Sequence, residues 1–147
     1  MENIELASLI KANDKPETWV EYRDGITFKL TYLSRPELQK IVKRSTVFKY
    51  DEKAKTRVQT TDSEKLTEEF CKAVVKDWKG VTFRSLATMT NIDLKAIAEE
   101  RRDFEIAFSH DNCVTLMREA YDVDTFIQEA STDIRYFNAG HAEEIKN

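Results

Sequence analysis

Residues 18–33 have the pattern of a β-hairpin, and no other feature of this sequence constrains the fold as strongly. Two arms rich in β-branched and aromatic residues, 18–22 and 26–33, flank the tripeptide Arg23-Asp24-Gly25. Asp-Gly favours a tight turn, and apolar side chains alternate with polar ones along the second arm. One face of this hairpin is therefore expected to be buried, and the other to face solvent.

The sequence after the hairpin predicts mainly helices. With 3 Gly and 2 Pro among 147 residues, long irregular loops are disfavoured. Ser34 and Glu37 have the spacing of a capping box, so a helix is expected to start there. Its buried residues are predicted from their helical spacing to be Leu38, Ile41, Val42 and Phe48. Residues 49–61 are interpreted as an exposed connection.

A second helix is predicted to start near Asp62 and to carry an apolar stripe. The stripe consists of Leu66, Phe70, Cys71, Val74, Val75 and Trp78. Gly80 follows the stripe, and glycine readily adopts the left-handed conformation that ends many helices. Trp78 is therefore interpreted as the last buried residue of this helix, and Gly80 as the residue that ends it.

Short elements are expected in the second half of the chain. Residues 83–103 suggest one or two short helices, and residues 104–108 a short extended segment. Two amphipathic helices are predicted to follow, the second with a clear apolar stripe up to Phe137. The predicted fold class is α+β, mainly α-helical, with an N-terminal β-hairpin packed on about five or six helices.

The length of the chain is typical of one domain. We expect a single domain over residues 1–147, with an N-terminal segment (1–14), a globular core (15–138) and a frayed tail (139–147). The apolar residues of the N-terminal segment fit a short helix, with a strand as the alternative. They are Ile4, Leu6, Leu9 and Ile10.

The sequence offers no motif for catalysis or for a bound cofactor. His110 and Cys113 lie close together, but no CxxC motif or second His–Cys cluster accompanies them, so a zinc site lacks ligands. Neither a Gly-rich phosphate loop nor a nucleophile elbow is present. The protein is therefore expected to be non-enzymatic, with no cofactor and no metal.

The sequence also contains no pattern typical of a membrane-spanning segment or of a signal peptide. No run of eighteen apolar residues occurs, and the N-terminus lacks the basic start and apolar core of a signal peptide. We therefore expect no membrane association and no export. Without export, Cys71 and Cys113 are expected to be reduced, buried thiols.

Charge is distributed unevenly along the chain. Residues 1–82 carry 16 Lys and Arg against 14 Asp and Glu, and residues 83–147 carry 7 against 13. The formal charges of the two parts are thus +2 and −6. Two unlike surfaces on one small domain favour weak head-to-tail self-association.

One basic segment, residues 35–58, is a candidate surface for a partner. The residues chosen as a possible partner-binding patch are Lys40, Lys43, Arg44 and Lys49. Phe48 and Tyr50 are interleaved with them, a combination that could provide phosphate contacts and base stacking. The net charge of −4 argues against nucleic acid as the partner. An acidic protein, or the acidic half of a second copy, could use the same patch.

Taken in order, several segments resemble one known family. They are the hairpin, then SRPELQKIVKRS, EEFCKAVVKDWKGV, EIAFSHDN, CVTLMREAY and DTFIQEASTDIRYF. Together they resemble the tail assembly chaperones of long-tailed bacteriophages over roughly residues 15–138. The signature positions that match are Trp78, Gly80, Val81, Phe108, Ser109, Asn112, Leu116, Phe126, Ile127, Ala130 and Phe137. One departure is the stretch 81–105, which is longer than the family pattern.

The resemblance implies a role in virion assembly. Chaperones of this family bind the long, largely helical tape-measure protein until tail-tube protein displaces them, and they do so in the host cell cytoplasm. They are absent from the mature virion. Two alternatives from other classes remain at this point: a structural virion protein, such as a tail-completion or connector subunit, and a small nucleic-acid-binding regulator.

Overall fold

The computed structural model describes residues 3–11 and 14–138, which contain five β-strands arranged in two sheets. In chain order the strands are β1 (Glu17–Arg23), β2 (Ile26–Thr31), β3 (Thr46–Asp51), β4 (Thr56–Thr61) and β5 (Val75–Lys79). Antiparallel β1, β2 and β5 form the first sheet, with β2 in the middle. β3 and β4 form a separate antiparallel hairpin.

The described residues also contain six α-helices. They are α1 (Leu6–Leu9), α2 (Arg35–Arg44), α3 (Ser63–Val74), α4 (Phe83–Leu86), α5 (His110–Glu119) and α6 (Tyr121–Thr132). Three 3₁₀ turns, Leu94–Ala96, Glu99–Arg101 and Ile134–Phe137, complete the described elements. Side-chain caps fix where the main helices begin, because each accepts a hydrogen bond from a backbone N–H that the helix leaves unpaired. The caps are Ser34 for α2, Asp62 for α3 and Ser109 for α5.

The first hairpin lies close to its predicted position and has the predicted turn, but β2 ends at Thr31 and not at residue 33. Asp24 and Gly25 have φ values of 51° and 79°, as a two-residue turn of type I′ requires. The register pairs Val20 with Phe28, and on the other side of β2 Phe28 pairs with Trp78. These three side chains are buried. They therefore form a row across the sheet, on the face that the helices cover.

The core lies between this face and the helices α3, α5 and α6. Each helix contributes residues that are almost completely buried: Cys71 and Val74 from α3, Cys113 and Met117 from α5, and Val123 and Ile127 from α6. α3 packs on α5, and α5 on α6. Burial of these apolar side chains provides the main stabilisation of the fold.

The α+β class is confirmed, but the prediction of a mainly α-helical fold, with one hairpin packed on about five or six helices, is wrong. Residues 46–61 form the β3–β4 hairpin where the end of a helix and an exposed connection were predicted. α2 ends at Arg44, so Phe48 is not a buried helical residue: it lies on β3 and is 64% exposed. The physical reason is the density of β-branched and aromatic residues in this segment, which favours strands.

The predicted end of the second helix is also wrong. α3 stops at Val74, and Val75 is already extended with φ −94° and ψ 120°. The chain continues as β5, because this segment completes the first sheet next to β2. Trp78 is buried, but it lies on a strand; Gly80, with φ 79°, follows a strand and ends no helix.

The stretch after β5 contains less helix than its sequence pattern suggested. α4 has four residues and the two following 3₁₀ turns have three each. An isolated bridge between Thr82 and Glu105 joins the two ends of the stretch. α5 lies in the first of the two helical regions predicted after residue 108. In the second, α6 ends at Thr132, before a separate 3₁₀ turn. The predicted frayed tail, 139–147, lies outside the described residues.

Candidate interaction surface

An open groove runs between α2 and the β3–β4 hairpin. Its volume is about 650 Å³, and we call it the hairpin groove; its lining residues are Arg35, Leu38, Gln39, Val42, Lys43, Thr46, Phe48 and Gln59. The base of the hairpin is closed by the backbone N–H of Asp62, which donates to the carbonyl of Ser45 at 2.8 Å, and it is joined to α2 by the hydroxyl of Thr46, which donates to the carbonyl of Val42 at 2.8 Å. Ser45 is itself buried, and its hydroxyl donates to the carbonyl of Ile41 at 2.9 Å.

Two aromatic side chains stand exposed on the groove side of the hairpin. Phe48 and Tyr50 alternate along β3, so they share one face, and each is 64% exposed. Their cross-strand neighbours are Gln59 and Arg57. Val42 on α2, also in the groove, is 38% exposed. Exposed apolar side chains grouped around a concave surface are typical of protein interaction sites.

The charges that line the groove have one sign. Arg35 and Lys43 are among its lining residues, and the lining contains no acidic side chain. A partner with acidic groups beside an apolar surface is therefore complementary to it.

The structure separates the four predicted patch residues, Lys40, Lys43, Arg44 and Lys49. Only Lys43 lines the groove. Lys49 lies on the opposite face of β3 from Phe48 and Tyr50, because successive strand residues point to opposite faces.

Two of the four make ion pairs on the surface of the protein. Lys40 pairs with Glu37 at 3.3 Å, and Arg44 pairs with Glu69 of α3 at 3.3 Å. The hydrogen bond from Lys40, with Lys15 nearby, lowers the pKa of the Glu37 carboxyl below its usual range. The sequence pattern predicts an exposed connection over residues 49–61, and only the strand β3 separates Lys49 from the face of Phe48 and Tyr50.

Most of the family-signature residues lie in the core or pack against it, whereas Ser109 and Asn112 are exposed. The indole N–H of Trp78 donates to the carbonyl of Ile106 at 2.8 Å, and its ring packs edge-on against Phe108, 5.2 Å between centroids. Phe126 contacts Tyr22, and Phe137 contacts Tyr32. These contacts join the sheet to the C-terminal half of the chain.

A second concavity, of about 420 Å³, lies beside Trp78. Apart from the carboxylate of Glu119, its lining is uncharged: Trp78, Val81, Phe83, Leu86, Thr90, Asn91, Ile92, Ile106, Asn112, Thr115 and Leu116. The side-chain amide of Asn112 donates to the carbonyl of Ala107 at 3.1 Å, which holds the segment before α5 in place. The signature residues Trp78 and Asn112 thus meet at this pocket, whose walls suit an apolar side chain.

Other classes of site find no support in the residues that the structure describes. Within 3–11 and 14–138, no group of three or more His, Cys, Asp and Glu side chains could hold a metal ion. Among the same residues, no helix has the length and apolar character needed to cross a membrane. Cys71 and Cys113 are free, buried thiols. The neighbouring Cys71 thiol, followed by burial, raises the pKa of Cys113.

Comparison with known proteins gives a phage assignment. No curated protein and no solved structure matches the chain. A family model described as YdaY prophage protein matches residues 34–147. The match includes α2, the β3–β4 hairpin and every signature position, whereas the first hairpin precedes it. Because it covers well over half of the sequence, the chain belongs to the YdaY prophage protein family.

Proposed function

We propose that this prophage protein is a non-enzymatic tail assembly chaperone that binds the tape-measure protein through the hairpin groove. The observation that carries the proposal is the exposure of Phe48 and Tyr50, each 64%, beside a groove whose lining is cationic and apolar. Aromatic side chains on a firmly anchored element are frequent anchors of protein interfaces. The phage origin supports an assembly role, and the sequence resemblance points to the tail.

The chemistry of the groove suits a helical partner. A helix that is apolar on one side and acidic beside it could place its apolar face on Leu38, Val42 and Phe48, with its carboxylates near Arg35 and Lys43. A long helical protein such as the tape measure would offer many such sites in a row. Each copy of the chaperone then needs only a modest affinity, because neighbouring copies act together.

A binding experiment tests this function directly. We would co-express the protein with fragments of the tape-measure protein of the same phage and measure capture and affinity. Changing Phe48→Ser and Tyr50→Ser together should weaken binding by about tenfold or more. Tyr121→Ser is the matched control, since Tyr121 is an aromatic residue of α6 that is 80% exposed and does not line the groove. It should leave binding unchanged.

Two results would contradict the proposal. One is a wild-type protein that captures no tape-measure fragment; the other is a double variant that is folded by circular dichroism and binds as tightly as the wild type.

The fate of the complex separates the chaperone from a structural virion protein. We propose that tail-tube protein displaces the chaperone in the host cell cytoplasm, so that the mature virion lacks it. Adding purified tube protein to the complex should release the chaperone, and mass spectrometry of purified virions should not detect it. Stoichiometric amounts in virions would instead support a tail-completion or connector subunit.

A further inference from the structure

Residues 3–11 form a second exposed apolar element, which we call the N-terminal arm. All nine are exposed, including four large apolar residues: Ile4 (66%), Leu6 (70%), Leu9 (62%) and Ile10 (61%). Ser8 bonds locally to the carbonyl of Glu5, through both its hydroxyl and its backbone N–H. Covering these four apolar side chains with another surface would be favourable, because it removes their apolar area from water.

The arm has the chemistry that the hairpin groove requires. α1 places Leu6 and Leu9, three residues apart, on one side of the helix, and Ile10 follows it in an extended conformation. The charged residues of the arm are Glu5 and Lys11, whereas those that line the groove are Arg35 and Lys43. An apolar face with the carboxylate of Glu5 beside it thus matches an apolar floor with basic groups beside it.

The chain that follows the arm lies next to the groove, and no arm residue lines the groove. Lys15 pairs with Glu37 of α2 at 3.5 Å, and the carbonyl of Pro16 accepts a hydrogen bond from the backbone N–H of Tyr32 at 2.8 Å. The ion pair places Lys15 beside the first turn of α2, which forms one end of the groove. The arm and the groove of one copy are nevertheless both exposed, which leaves each available to another molecule.

We propose that the N-terminal arm of one copy binds in the hairpin groove of a second copy. Exchange of a terminal segment between identical chains is a common route to association. Because the arm and the groove are different surfaces, a bound pair still offers one free arm and one free groove, and the contact propagates into an open array or closes into a ring. The tape-measure helix would compete with the arm for the groove; only this last point rests on the proposed function.

Two variants test the exchange, one on each side of the contact. Leu6→Asp with Leu9→Asp removes the arm's apolar face, and Val42→Asp places a charge in the groove. Sedimentation velocity over a concentration series should show self-association of the wild type, weakened about tenfold or more in either variant. Tyr121→Ser should associate like the wild type. Thermal melts should show that all variants are folded.

Mixing the two variants gives the sharper result. The arm variant keeps an intact groove and the groove variant keeps an intact arm, so one contact of each mixed pair can form. The mixture should contain a one-to-one dimer that does not grow further, at concentrations where the weakened association leaves each variant alone mainly monomeric. A synthetic peptide of residues 1–11 should bind the arm variant and not the groove variant.

Three outcomes would overturn the exchange. The first is a wild-type protein that is monomeric at every concentration, which would also result if the arm bound its own groove. The second is association that survives both variants, and the third is a mixture of the two variants that forms no dimer. Tape-measure capture by the arm variant, which has an intact groove, tests the proposed function separately. If capture fails while the mixed dimer forms, the proposed function is wrong and the exchange stands.

Discussion

The α-carbon of Gly80 packs directly against the carbonyl group of Gly25, so the turn after β5 touches the turn between β1 and β2. A Cβ on Gly80 would clash with the carbonyl oxygen of Gly25 and would lie 3.0 Å from its carbon and 3.2 Å from the Cα of Ile26. A Cβ on Gly25 would meet nothing within 4 Å. Both glycines have φ 79°, so the two positions differ mainly in the space around them.

This difference predicts unequal costs for two similar substitutions. Gly25→Ala should lower the free energy of unfolding by about 1–2 kcal/mol, the cost of a left-handed backbone with a side chain. Gly80→Ala carries the same cost and in addition must push two backbone segments apart, which adds about 1–3 kcal/mol. Urea denaturation of both variants measures the difference. Equal losses would show that the close approach at Gly80 does not matter.

Trp78 should contribute to stability through both packing and its hydrogen bond. It is 6% exposed, so Trp78→Ala should cost about 3–5 kcal/mol by leaving a cavity between Phe28 and Phe108. Trp78→Phe retains an aromatic ring but leaves the carbonyl of Ile106 without its donor, which should lower the free energy of unfolding by about 1–3 kcal/mol. Thermal and urea unfolding provide the test. An alanine variant as stable as the wild type would contradict burial of Trp78 in the core.

The two thiols should be unreactive in the folded protein. The thiolate is the reactive form of cysteine, and a raised pKa keeps Cys113 as the neutral thiol near pH 8. Burial of Cys71 and Cys113 also blocks access to reagents. A chromogenic disulfide reagent should label neither cysteine at pH 8 in native buffer and both in urea. Fast labelling of the native protein would show that α3 and α5 separate readily.

Nucleic acid should not bind specifically to the basic segment at physiological salt. Lys40 and Arg44 are already paired with carboxylates, and Lys49 lies on the other face of the hairpin from Lys43. Fluorescence anisotropy with labelled DNA and RNA over a salt series would measure any binding. A sub-micromolar complex that weakens steeply with salt and is lost in the triple variant Lys40→Gln, Lys43→Gln and Arg44→Gln would overturn this prediction.

Features encoded by neighbouring residues could be predicted from the sequence. The Asp24-Gly25 turn and the alternation around Phe28 define the first hairpin, and Ser34 marks the start of α2. Each of these signals lies within a few residues of the sequence. Burial of Trp78 is predictable for a different reason, because an apolar stripe indicates a core face whichever element carries it.

Features that depend on distant partners could not be predicted in this way. Val75 continues a helical stripe in the sequence, but β2 provides an open edge that draws residues 75–79 into the sheet. Residues 46–51 are rich in β-branched and aromatic residues, but Phe48 also continues the helical spacing of Ile41 and Val42, so the sequence predicts a longer helix there instead of the hairpin with β4. Pairing with β2 decided residues 75–79 against their local helical pattern, and pairing with β4 decided between the two patterns of residues 46–51.

Self-association should be strengthened at low salt. The groove carries Arg35 and Lys43, and the arm carries Glu5, all near the surface where ions screen their attraction. Exposed ion pairs contribute little each, so the dissociation constant should rise only about threefold to tenfold between low and high salt. Light scattering over a salt series measures this. Arg35→Gln with Lys43→Gln should reduce the dependence on salt without abolishing association, because the apolar contact remains. Association that strengthens with salt in the wild type would show that charge complementarity plays no part in the contact.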